Sequence, residues 1–71
     1  MQPELIPIHV NGELKQIPAN QSVAALLQLL DVPAERVAVE MNKALVRKRE
    51  WPSITVPSGA QLEIVEFVGG G

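Results

Sequence analysis

Val23, Leu26, Leu27 and Leu30 fall at i, i+3, i+4 and i+7, and this one stripe constrains the fold more than any other feature of the chain. The helix that carries it is about ten residues long, too short to persist alone in water, so its apolar face must lie on another layer. Ser22 stands ahead of the stripe as its N-cap, because a hydroxyl there can accept from the free N–H groups of the first turn. Leu29 widens the stripe, while Gln28 and Asp31 look outward. Pro33 biases Val32 away from helical angles, which predicts a helix end near Asp31–Val32.

The residues on either side of the helix alternate at period two, so the second layer is a sheet. Ile6, Ile8 and Val10 give one apolar face to a first strand over Leu5–Val10. Pro7 lacks a ladder donor, so regular pairing is expected to start after it. Asn11-Gly12 predicts a type I′ hairpin turn, since both residues tolerate positive φ. The return strand runs from Glu13 to Ile17, with Ile17 inward and Pro18 ending it. After the helix, Pro33–Arg36 reads as a turn, and Val37, Val39 and Met41 mark a third strand. Asn42-Lys43 is a second tight turn leading into Ala44–Val46. Arg47–Glu50 reads as irregular and Trp51-Pro52 closes it; Ile54–Val56 pairs briefly, and Pro57-Ser58-Gly59 turns into a last strand, Gln61–Val68. The result is an α+β chain of ββαββ order, with one helix on one face of a mixed sheet. A single crossover through the helix places the first and last strands side by side. That is the β-grasp, or ubiquitin-like, architecture.

At 71 residues there is room for one small domain. Such a domain buries roughly 60% of its unfolded surface and is marginally stable. Apolar residues form 46% of the chain, which supplies a core. There is no cysteine, which excludes disulfides, thiolate metal sites and thiol-based sulfur carriage. The net charge of −2 argues against general nucleic-acid binding. Met1-Gln2-Pro3-Glu4 has neither the basic nor the apolar region of a signal peptide, and no apolar run approaches the roughly 18 residues of a membrane span. The expectation is a soluble cytoplasmic protein with no membrane partner.

Side-chain chemistry is sparse. The one histidine, His9, lies out of phase with the apolar set of its strand. Without Cys or a second His it builds no common zinc site, and no nucleophile and acid accompany it, so it reads as a surface or partner-contacting residue. Glu63 and Glu66 fall on opposite faces of the last strand and form no acid–base pair. No glycine-rich loop joins a strand to a helix, so no phosphate cradle forms. Arg47-Lys48-Arg49 reads as a solvated loop rather than a nucleic-acid patch. No catalytic residue, metal site or bound cofactor is expected.

The stretch that does invite chemistry follows the last strand. Leu62 and Ile64 belong to the core face, so Val65 and Phe67 fall on the other one. Either a loop covers Phe67 or Val65 and Phe67 form a partner surface. Gly69-Gly70-Gly71 follows with no polar linker. Three glycines make the thinnest possible peptide, able to thread a narrow channel, and they are costly to order. The division expected is a β-grasp domain over 1–68 and a flexible functional tail over 69–71, with the Gly71 α-carboxylate as the functional group. A frayed end or an added scar is the plainer alternative.

Taken in order, Val10-Asn11-Gly12-Glu13, Ser22–Leu27, Val37–Asn42, Leu45-Val46, Glu50-Trp51 and Val65–Gly71 resemble the ThiS-type sulfur-carrier family of thiamine thiazole biosynthesis over essentially the whole chain. Arg47 departs from the family, which often has Pro there, and Met1–Leu5 is a long start. The resemblance implies that an E1-like adenylating enzyme uses ATP to activate the Gly71 carboxylate. A sulfur donor protein or sulfide then converts it to a thiocarboxylate, and thiazole synthase takes the sulfur. It further implies that Gly69 and Gly70 thread the enzyme while Val65 and Phe67 dock the body. Alternatives are a molybdopterin synthase small subunit-like carrier, a ubiquitin-like protein modifier, and a binding domain with an inert tail.

Overall fold

The computed structural model describes residues 4–67; the expectations for Val68, for the tail 69–71 and for Met1–Pro3 lie outside the described residues. The strands are β1 (Leu5–Val10), β2 (Glu13–Pro18), β3 (Val37–Met41), β4 (Ala44–Val46) and β5 (Gln61–Glu66), with helix α1 (Val23–Leu29) between β2 and β3. They form one sheet in the order β2-β1-β5-β3-β4. β1 and β5 pair in parallel, while the other neighbours are antiparallel. The last strand therefore sits at the centre of the sheet, as the single crossover requires.

Both hairpins turn on an asparagine. Asn11 and Gly12 have φ of 52° and 83°, and Asn42 and Lys43 have 54° and 72°, the left-handed pair that matches strand twist. The core lies between α1 and one face of the sheet, where Val23, Leu26 and Leu27 meet Ile6, Ile8, Ile17, Val39 and Leu62. Ser22 caps α1 as expected, its Oγ accepting from Ala25 N at 3.0 Å. Two more orphan donors of that first turn are satisfied from the segment before β5. Val23 N donates to Ile54 O at 2.9 Å and Ala24 N to Trp51 O at 3.1 Å. Trp51 is itself buried, with Nε1 donating to Val46 O at 2.9 Å. One residue thus ties two elements together, its indole holding β4 and its backbone carbonyl the start of α1.

Several expectations need correction. Pairing of β1 with β2 runs unbroken from Leu5↔Pro18 through Pro7↔Gln16 to Val10↔Glu13. His9 N donates to Ala60 O, away from β2, so the nitrogen of Pro7 two residues earlier also points away from β2. The missing donor costs no rung. The return strand accordingly extends to Pro18. Leu29 lies off the buried stripe and is 53% exposed, because at about 100° per residue it falls well to one side of Leu26, Leu27 and Leu30. The helix is also shorter than expected, and Asp31 ends it ahead of Pro33. Asp31 takes φ of 58°, with Asp31 N on Gln28 O and Val32 N on Leu27 O, a Schellman arrangement. Within the stretch read as irregular, Lys48–Glu50 forms a 3₁₀ turn. β5 ends at Glu66.

Candidate functional site

The open face of the sheet and the exit of β5 are where the sequence places its candidate contacts. Along β5 the period of two sends Leu62 into the core and Gln61, Glu63 and Val65 outward. Val65 is 58% exposed and stands opposite Ala38 of β3. Phe67 lies just past the strand and is 52% exposed, with its N donating to Arg36 O at 2.6 Å. No described segment covers Phe67, so the reading in which a loop covers it is not met among the described residues. An exposed aromatic beside an exposed Val is apolar area that a partner could remove from water.

Sequence reasoning missed the neighbours of this patch. Glu40 and Glu63 face each other in register across β3 and β5, and Leu45 stands opposite Glu40 at 63% exposure. The only ion pair among the described residues is Lys15 with Glu13 at 3.4 Å, so no side-chain cation neutralises these two carboxylates there. The period-two pattern puts Glu40 and Glu63 on the outer face, but only the register sets them side by side. His9, also on this face, is partly exposed, and Gln61 Nε2 stands 3.2 Å from its Nδ1. Arg47, Lys48 and Arg49 are exposed, with Lys48 Nζ 5.9 Å from the Trp51 ring centroid. Glu66 falls on the opposite face from Glu63, so the structure does not bring those two carboxylates together.

β5 is held from both sides. Asn42 N donates to Gln61 O at 2.7 Å, and Asn42 Oδ1 accepts from Gln61 N at 3.0 Å. On the β1 side, Asn11 Oδ1 accepts from Ile64 N at 2.8 Å, and Asn11 Nδ2 donates to Ile64 O at 3.1 Å. These two turn residues thus hold β5 at different points, Asn42 at its start and Asn11 just before Val65 and Phe67. Among the described residues no group of three His, Cys, Asp or Glu side chains is placed to hold a metal ion. No described helix is long and apolar enough to cross a membrane. Gly69, Gly70 and Gly71 lie outside the described residues.

With a five-stranded mixed sheet, one covering helix and a central last strand established, comparison with known proteins is direct. The model of the ThiS family matches residues 8–71, almost the whole chain and the glycines with it. The chain belongs to the ThiS family. The thiamine biosynthesis protein ThiS from Geobacter metallireducens has the same fold, with a TM-score of 0.82 at 32% identity, covering 93% of this chain and 100% of that one. The sulfur carrier protein ThiS of Escherichia coli is 30% identical over 61 residues, 86% of this chain and 92% of that protein. A thiazole synthase of Paramagnetospirillum magneticum is 44% identical over 62 residues, 87% of this chain. The chain spans only about a fifth of the length of the thiazole synthases it matches. By family and fold it is a ThiS-family domain with a β-grasp body.

Proposed function

We propose that this chain carries sulfur as a thiocarboxylate on Gly71 and delivers it to a thiazole synthase. The observation that carries the reading is the placement of the tail root. The glycines follow in sequence on the central strand of the sheet, two residues after an exposed Val65–Phe67 patch. A body that is firm at the root and slim beyond it can be gripped by one surface while its end enters another protein's active site.

The chemistry needs an activating partner, because a carboxylate is a poor electrophile. In an E1-like adenylating enzyme, a carboxylate oxygen of Gly71 attacks the α-phosphorus of ATP and pyrophosphate leaves. The resulting mixed anhydride has AMP as its leaving group. Sulfide, free or released reductively by a thiol from a donor protein's persulfide, then attacks the acyl carbon and displaces AMP. The thiocarboxylate so formed gives up its sulfur in the thiazole synthase, an oxygen from the acceptor substrate or from water takes its place on the acyl carbon, and the carboxylate returns. The likeness of this chain to part of two thiazole synthases supports that enzyme class as the recipient. No side chain of the carrier reacts. Val65 and Phe67 dock the body, and Gly69 and Gly70 pass the channel to the adenylating site.

Gly70→Val tests the channel requirement. The substitution leaves every residue of the described core unchanged, so the melting temperature should match wild type while adenylation by the partner is abolished. Normal turnover of the folded variant would contradict the reading.

A further inference from the structure

Asn11 has a second role that its place in a hairpin turn conceals. β1 pairs with β5 only at His9↔Gln61 and Val10↔Leu62, and Asn11 N then reaches Leu62 O at 2.8 Å. Backbone groups alternate along a strand, so Ile64 turns its N–H and C=O to the same edge as Leu62. At that point β1 has already turned back into β2. The side-chain amide of Asn11 fills the position: it carries the donor and acceptor of a peptide group and makes both bonds to Ile64. After Ile64 the pairing of the described residues runs to the β3 side alone, at Ala38↔Val65 and Val37↔Glu66 and then from Phe67 N to Arg36 O.

We propose that Asn11 is a positioning residue for the transfer reaction. Its amide adds one last rung to the β1 side of β5 and so fixes the direction in which Val65–Phe67 leave the sheet. The inference rests on the sulfur-carrier reading given above. Without that rung the end of β5 becomes half of a two-stranded ribbon, which twists more freely and is marginal by itself. A tail root that samples several directions presents its end productively for only a fraction of the time, and apparent affinity for the adenylating enzyme falls by that fraction.

The second hairpin supplies a matched control. Asn42 also has a positive φ, also donates its backbone N to β5, and also bonds β5 through its side chain, but at Gln61, where the strand begins. Asn11→Gly and Asn42→Gly both keep the turn conformation and the backbone bond while removing the side-chain amide. Residue-resolved amide hydrogen exchange is measured on each carrier alone. Adenylation kinetics are measured with the partner enzyme at a temperature where both variants are folded. N11G is expected to speed exchange at Ile64 by about tenfold or more while Val39 keeps its protection. It should raise the KM for the carrier about tenfold and leave kcat within about twofold. N42G should speed exchange at Gln61 and leave KM and kcat as in wild type. Unchanged Ile64 exchange in N11G, or an equal KM rise in the two variants, would overturn the proposal. Failure of the wild-type carrier to be adenylated would instead refute the sulfur-carrier reading, and the Ile64 exchange rate would still decide whether Asn11 holds the strand.

Discussion

The two ends of β5 are built differently. At its start, Leu62 is fully buried between β1 and β3, Gln61 pairs with His9 of β1, and Asn42 bonds Gln61 through backbone and side chain. At its exit, β1 has gone, one asparagine amide stands in for it, and Val65 and Phe67 lie open to water. The same strand thus anchors the fold at one end and presents a surface at the other. The lesson is that stability and presentation can be assigned to separate residues of seven consecutive positions, Gln61 to Phe67, and mutated separately.

Leu62→Ala should have the largest effect on that contrast. Emptying a fully buried site in the core costs about 2–5 kcal/mol, a large part of what a domain this small possesses, and chemical denaturation would register it. Loss below about 1 kcal/mol would mean that the start of β5 is not an anchor. Phe67→Ala should do the reverse, changing stability by less than about 0.5 kcal/mol while lowering adenylation efficiency about tenfold. A Phe67 variant that unfolds, or one with unaltered turnover, would erase the distinction between the ends. The smallest effect belongs to Glu40→Gln. Removing one of two like charges that face each other across β3 and β5 should raise stability by about a few tenths of a kcal/mol. Added salt should shrink the gain, because screening already weakens an exposed repulsion.

Local rules carried the sequence a long way here. Asn11-Gly12 fixed one hairpin, Asn42-Lys43 the other, Ser22 the helix start, and the Val23–Leu30 stripe the face that meets the sheet. Each is a property of a few neighbouring residues. The misses depend on neighbours that are distant in sequence or on angles that a pattern does not specify. Pro7 is tolerated because its nitrogen faces away from β2, which only the pairing register reveals. Asp31 ends α1 through a left-handed conformation that glycine adopts more often, so proline two residues later looked like the stop. The exposure of Val65 followed from strand parity, whereas the clamp of Asn11 on Ile64 joins residues 53 positions apart and left no trace in either segment alone. Glu40 beside Glu63 was hidden in the same way.

The central claim is that Gly71 carries sulfur, and mass reads it directly. The intact protein is incubated with ATP, a sulfide source and the adenylating enzyme, and the modified peptide is then located. The account predicts a mass increase equal to replacement of one oxygen by sulfur, confined to Gly71. An unshifted mass, with the same enzyme active on a control carrier, would contradict it.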